Sequence, residues 1–157
     1  IILNILDRKP LPIYGDGQQI RDWLHVDDHC RAIDLVLHHG AQERTYNVGG
    51  NCEKANLALV EGLCKRMDDR QNYPQPSFEL TTHVKDRPGH DRRYAVDASR
   101  IETELGFTPV YTFETGIAST IDWYLDNPEW WRKIQDGTYA EWISKNYGDR
   151  PGVTPLR

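Results

Sequence analysis

Between Lys85 and Tyr94 the chain reads Lys-Asp-Arg-Pro-Gly-His-Asp-Arg-Arg-Tyr, which places Lys85, Arg87, Arg92 and Arg93 within nine residues of a sequence whose net charge is −5. Guanidinium groups at this density suit the gripping of a phosphate, because the planar fork meets two anionic oxygens at once. Pro88 fixes its own φ at about −65° and Gly89 accepts positive φ, so Arg87-Pro88-Gly89-His90 suits a type II turn. A stiff turn would hold Arg87 and His90 in place. The alternative is a charged surface turn, neutralised by Asp86 and Asp91. This segment alone leaves both readings open.

Three further positions carry chemistry of the same kind. Pro12-Ile13-Tyr14 reads as an extended piece before the tight turn Gly15-Asp16-Gly17, and Tyr14 either offers its ring to a flat ligand or packs on an edge strand. Arg21 stands beside Asp22 and is either a ligand contact or half of a salt bridge. Asn56 sits where a helix should begin. It is expected to cap that helix, and a helix N-terminus also favours anions.

The elements that must position these residues follow from capping and periodicity. Asp27 is the expected N-cap of a helix with Ala32, Ile33, Val36 and Leu37 on its apolar face and Gly40 as its stop. Thr45-Tyr46-Asn47-Val48 is an expected short strand ending at Gly49-Gly50. Val60, Leu63, Cys64 and Met67 fall at helical spacing after Asn56. Phe78 to Val84 is an expected strand leading into the arginine turn. Asp97 caps a helix with Ile101 and Leu105, closed by Gly106. Thr112 starts another, with Ile117, Thr120, Ile121 and Tyr124 on one face, ended by Asn127-Pro128. Trp130-Trp131 opens a last segment that Asp136-Gly137 interrupts, before a tail with Tyr139, Trp142, Ile143 and Tyr147. Short strands alternating with capped helices make the fold class α/β. The opening Ile1-Ile2-Leu3-Asn4-Ile5-Leu6 has no cap and reads as the second half of a helix, so a piece of a longer protein is expected.

Composition narrows the function. At 157 residues, 38% hydrophobic and 27% charged, the chain is globular in type and large enough for one core. The acidic balance and the lack of a basic stripe argue against nucleic acid as a partner. No apolar run has membrane-spanning length, so no membrane partner is expected. Three cysteines lack metal-ligand spacing; Cys30 and Cys64 are expected to be buried thiols, consistent with a reducing cytoplasm. P-loop, three-glycine dinucleotide, zinc-protease and nucleophile-elbow motifs are absent, and no Tyr precedes a Lys by four residues. The paired glycines at Gly49-Gly50 lack the spacing of a cofactor loop. What remains is a set of binding groups without a nucleophile, base or metal.

With those residues in view, the chain resembles the C-terminal portion of the dTDP-glucose 4,6-dehydratases, extended short-chain dehydrogenases/reductases of the nucleotide-sugar epimerase/dehydratase group. The matching stretches are Lys9 to Asp28, Thr45 to Gly50 and Asp86 to Tyr94, continued by Asp97-Ala98-Ser99, Glu104-Leu105-Gly106-Phe107, Trp123-Tyr124-Leu125 and Trp130-Trp131. Arg-Asp-x-x-x-Val-x-Asp is widespread among nucleotide-sugar enzymes. Gly-Gln-Gln-Ile-Arg-Asp-Trp with Asp-Arg-Pro-Gly-His-Asp is much narrower.

The resemblance implies that residues 1–157 are the substrate-binding part of an NAD(P)-binding, Rossmann-type enzyme, with about residues 20–50 packed against an NAD-binding domain outside this chain. It places Pro12, Ile13 and Tyr14 along a thymine. It places Arg21, Asn56 and Arg87 on a diphosphate, with Asp86, Pro88, Gly89 and His90 in the same loop and Tyr147 near the site. It implies NAD as cofactor and a dTDP-sugar as ligand. The parent would be a cytoplasmic homodimer converting dTDP-glucose to its 4-keto-6-deoxy product. The catalytic and cofactor residues would lie outside this chain, leaving it inactive alone. The alternatives are a UDP-sugar epimerase or decarboxylase fragment and a non-catalytic nucleotide-sugar-binding module.

Overall fold

In the computed structural model, which describes residues 1–135 and Gly137, the chain forms two compact units, Ile1–Ile121 and Asp122–Arg157. The first unit begins with helix α1 (Ile2–Leu6) and strand β1 (Leu11–Tyr14), followed by β2 (Ile20–Asp22), α2 (Val26–His39), β3 (Glu53–Ala55) and α3 (Asn56–Gln71). A 3-10 turn (Ser77–Leu80) then precedes β4 (Thr81–Val84) and α4 (Ser99–Leu105); α5 (Phe113–Asp126) and α6 (Pro128–Gln135) complete the order. This is mixed α/β.

Two small sheets fix the site-bearing loops. β1 runs parallel to β4, with Tyr14 opposite Val84. β2 runs antiparallel to β3, with Ile20 opposite Ala55. Ile20 also bridges to Arg93 in parallel sense, so β2 lies between the start of α3 and the chain that leaves the arginine turn. Alternation along β1 buries Leu11 and Ile13 and exposes Pro12 and Tyr14, as a two-residue period requires.

α3 buries Val60, Leu63, Cys64 and Met67, the four residues that its spacing selects. Ala32, Ala98, Ile101 and Phe107 form a core cluster joining α2 to α4. Asp28, fully buried, accepts from the Val110 and Tyr111 N–H groups at 3.0 Å each and from Arg31 Nη1 at 2.6 Å. One carboxylate thereby ties the first turn of α2 to the chain entering α5. The α5 start is a reciprocal Thr pair, Thr115 N–H to Thr112 Oγ1 and Thr112 N–H to Thr115 Oγ1.

Several expectations are corrected. α2 is capped by His25, whose Nδ1 accepts from the Asp27 N–H, rather than by Asp27; Asp27 falls inside the first turn because the helix starts two residues earlier than expected, at Val26. Gly40 does end α2, although with φ −65° and not in the left-handed region. Of the apolar face expected on α2 only Ala32 is buried, while Ile33 and Leu37 are 56% and 76% exposed. Cys30 is exposed as well, so only Cys64 is the buried thiol expected of both, and burial pushes the Cys64 thiol up to about 11. Thr45–Val48 forms no strand, having no ladder partner among the described residues. The strand expected from Phe78 begins only at Thr81, because Ser77–Leu80 is a 3-10 turn whose first N–H is held by Asp68.

In the second unit Trp131 Nε1 donates to the Tyr124 carbonyl, and Trp123 meets Trp130 edge-on. Tyr139, Trp142, Ile143 and Tyr147 lie outside the described residues.

Candidate functional site

The arginine turn is organised by one carboxylate. Asp86 Oδ1 accepts from the Arg87 N–H at 2.9 Å and pairs with His90 Nδ1 at 2.7 Å, while Oδ2 accepts from Gln19 Nε2 at 3.0 Å. The hydrogen bond from His90, helped by that from Arg87, holds the Asp86 carboxyl below the usual carboxylate range against the opposing effect of burial. The His90 side chain is only 6% exposed. Gly89 has φ +68°, the left-handed value that the turn requires of its third residue. Asp86 and His90 are thus framework, and what they present outward is Arg87.

The four basic residues separate into two classes. Arg92 Nη1 lies 2.8 Å from both Asp16 carboxylate oxygens, and Arg93 forks onto Glu53 at 2.6 and 2.7 Å. Those two guanidinium groups are spent on pinning the turn to its neighbours. Arg87 and Lys85 are exposed, and neither forms an ion pair among the described residues. The charge available to an incoming anion is therefore that of Arg87, with Lys85 beside it.

Arg21 makes no bridge to Asp22, because adjacent strand residues point to opposite faces. Its guanidinium donates to the Ile20 carbonyl at 2.6 Å and the Asp91 carbonyl at 3.1 Å, and lies 5.1 Å from the centre of the Tyr94 ring. Arg21 is half-buried beside the arginine loop, its charge uncancelled by these carbonyl and ring partners. Asp22 instead receives the Gly50 and Cys52 N–H groups at 2.9 and 2.7 Å.

Asn56 is the first residue of α3 and not its cap. Ala55, still extended at the end of β3, is the N-cap and offers no side-chain bond. The Asn56 and Leu57 N–H groups go to the carbonyls of Gln19 and Gly17 at 3.0 and 2.9 Å. With capping done by the preceding turn, the Asn56 amide is left for another partner. Tyr14 is 52% exposed at the end of β1, edge-on to His90 with ring centres 6.4 Å apart. Of the Pro12-Ile13-Tyr14 stretch, Ile13 faces the core. Tyr147 lies outside the described residues.

The structure brings Tyr14, Asn56 and the Asp86–His90 loop around a common residue that the sequence reading did not select, Gln19. Its signal was weak: a polar residue before a strand, with no periodicity to mark it as buried.

Gly49-Gly50 offers no place for a dinucleotide. A Cβ on Gly50 would stand 2.2 Å from the Trp23 carbonyl oxygen, and one on Gly49 would stand 2.5 Å from Asp22 Oδ2. Both glycines serve close packing against this chain's own backbone and side chains.

The GDP-mannose 4,6 dehydratase family model matches residues 1–120. The chain belongs to this family. Within the GDP-mannose 4,6 dehydratase family it is 50% identical over 150 residues to the dTDP-glucose 4,6-dehydratase of Salmonella typhimurium, covering 96% of this chain and 42% of that protein. A dTDP-glucose 4,6-dehydratase double mutant of Streptomyces venezuelae, solved with NAD and a second ligand bound, matches with a TM-score of 0.77 and 40% identity over 85% of this chain and 39% of that one. The UDP-glucose 4-epimerase of Bifidobacterium longum, solved with NAD and UDP, matches with a TM-score of 0.64 and 26% identity over 81% of this chain and 38% of that one. The chain spans about two fifths of the length of the curated dehydratases it matches. Among the described residues no helix is long and apolar enough to cross a membrane.

Proposed function

We propose that this chain is the nucleotide-sugar-binding part of a dTDP-glucose 4,6-dehydratase, a lyase that converts dTDP-glucose to dTDP-4-keto-6-deoxyglucose for deoxysugar biosynthesis. The observation that carries the proposal is the gap between 40% identity to the Streptomyces venezuelae dTDP-glucose dehydratase and 26% to the Bifidobacterium longum UDP-glucose epimerase, over similar shares of this chain. Tyr14 takes the thymine face, with Pro12 and the Ile13 backbone beside it. Arg87 and Arg21 take the diphosphate, and the Asn56 amide at the start of α3 adds a neutral donor where the helix dipole favours anions. Asp86, Pro88, Gly89 and His90 hold Arg87 in position.

NAD and the catalytic groups belong to the remaining part of the longer enzyme. Residues 20–50 pack against that part. Supporting this are Val26, Ile33 and Leu37, exposed along one side of α2, and the Thr45–Val48 stretch, which has no ladder partner among the described residues. The working enzyme is a cytoplasmic homodimer, and this chain alone turns over no substrate. The test is an assay of the longer protein and of this chain with dTDP-glucose and UDP-glucose, scored for the 4-keto-6-deoxy product. The longer protein should convert the thymidine substrate and leave the uridine one unchanged, and this chain should convert neither. Equal turnover of both substrates, or a 4-epimer as product, would replace the dehydratase reading with the epimerase one.

A further inference from the structure

Gln19 is 2% exposed and joins three pieces of the site. Its Nε2 donates to the Tyr14 carbonyl at 3.4 Å and to Asp86 Oδ2 at 3.0 Å, and its backbone carbonyl accepts the Asn56 N–H at 3.0 Å. The carboxylate fixes the amide's orientation, because only the NH₂ side can face it. Oε1 is thereby turned away, buried and without a hydrogen-bond partner. Leaving such an oxygen unpaired is costly, so the NH₂ bonds are what retain the amide here. Asp86 is seated equally closely: a Cβ on Gly15, at φ +56°, would lie 2.7 Å from Asp86 Oδ2.

We propose that Gln19 is the positioning residue that sets the base-facing Tyr14, the Asn56 amide and the Arg87 turn at a fixed separation, so that thymine and diphosphate are read together. The proposal rests on the nucleotide reading above. Gln19 touches no ligand itself. It acts through Asp86, whose other oxygen holds the Arg87 N–H and His90, and through the turn that ends β1.

The test uses the 157-residue chain with three variants, Gln19→Glu, Gln19→Leu and the double variant Gln19→Glu/Asp86→Asn. In Gln19→Glu two carboxyl groups face each other and share one proton, which raises the apparent pKa of the pair. The donor toward Asp86 is then present at low pH and lost as pH rises through that raised value. His90, His83 on the Gly15 carbonyl, the Asp16–Arg92 pair and Arg87 surround this pair. They are common to parent and Gln19→Glu, so the ratio of affinities at each pH isolates the new group.

dTDP affinity of Gln19→Glu should fall about tenfold or more below the parent at pH 8 and return to within about threefold at pH 5.5. The double variant, with donor and acceptor exchanged, should recover at pH 8, and Gln19→Leu should stay weak at both pH values. Parent-like binding by Gln19→Glu and Gln19→Leu at both pH values would overturn the proposal. So would a loss that neither low pH nor the exchanged pair repairs.

Amide exchange at Arg87, Gly89 and His90 without ligand separates this proposal from the nucleotide reading. If the parent binds no dTDP, the nucleotide reading falls alone. Loop protection lost in Gln19→Glu at pH 8 and regained in the double variant would still support the positioning role; unchanged protection would refute it.

Discussion

Arg87→Ala weakens dTDP binding by about 2–5 kcal/mol, roughly 30-fold to a few thousand-fold, when titrated calorimetrically against the parent chain. The size follows from what surrounds the guanidinium. Its loop is pinned through Asp86, His90 and Gly89, but the side chain is exposed and forms no ion pair among the described residues. A phosphate would thus be its main partner. Arg21→Ala should cost binding on the same scale, because its carbonyl and ring partners leave its charge uncancelled. Arg92→Ala and Arg93→Ala serve as controls: their bridges to Asp16 and Glu53 are exposed, and such pairs contribute about 0–1 kcal/mol. If Arg87→Ala and Arg21→Ala bind as tightly as the parent, the diphosphate assignment is wrong.

Asp28→Ala should be the most destabilising single change in the first unit, by about 3 kcal/mol or more in a urea or thermal melt. It removes the acceptor for the Val110 and Tyr111 N–H groups and for Arg31 from a site with no solvent exposure, and a buried polar group left unpaired costs about 1–3 kcal/mol. Burial alone would push this carboxyl up, but the three hydrogen bonds outweigh it and hold it below the usual range. A depressed folded value means that this stabilisation is fully present above the unfolded carboxylate pKa of about 3.9, and is lost as pH falls through the folded one. Stability measured below about pH 4 should therefore show a smaller gap between Asp28→Ala and the parent. A gap that widens on acidification would contradict the assignment.

The amphipathic helices were legible in the sequence because their periodicity reports burial directly: Val60, Leu63, Cys64 and Met67 lie as expected on α3. Gly106, closing α4 in the left-handed conformation, and the Thr112 start of α5 follow from local chemistry too. Helix starts set by backbone geometry were not legible. Asn56 has the residue type of a cap, yet β3 carries extended backbone through Ala55 and the carbonyls of Gly17 and Gln19 take the first N–H groups. His25 displaces Asp27 by a different route, its ring Nδ1 accepting the Asp27 N–H.

At the site, the charge cluster was visible but its division was not. That Arg92 and Arg93 are neutralised depends on Asp16 and Glu53, 76 and 40 residues away. Gln19 was missed for the same reason, since its importance arises from contacts 67 residues apart. Burial on α2 was overestimated because an apolar face in sequence does not say what covers it. Ile33 and Leu37 have helical spacing and stand exposed.

The most direct measurement is a calorimetric titration of dTDP into this chain, with UDP as the paired control. Saturable binding that favours dTDP, lost in Arg87→Ala, is the result expected if Tyr14 reads the base and Arg87 with Arg21 holds the diphosphate. Equal affinity for UDP, or no binding by a chain that still melts cooperatively, would contradict the claim that these residues form a thymidine-nucleotide site on their own.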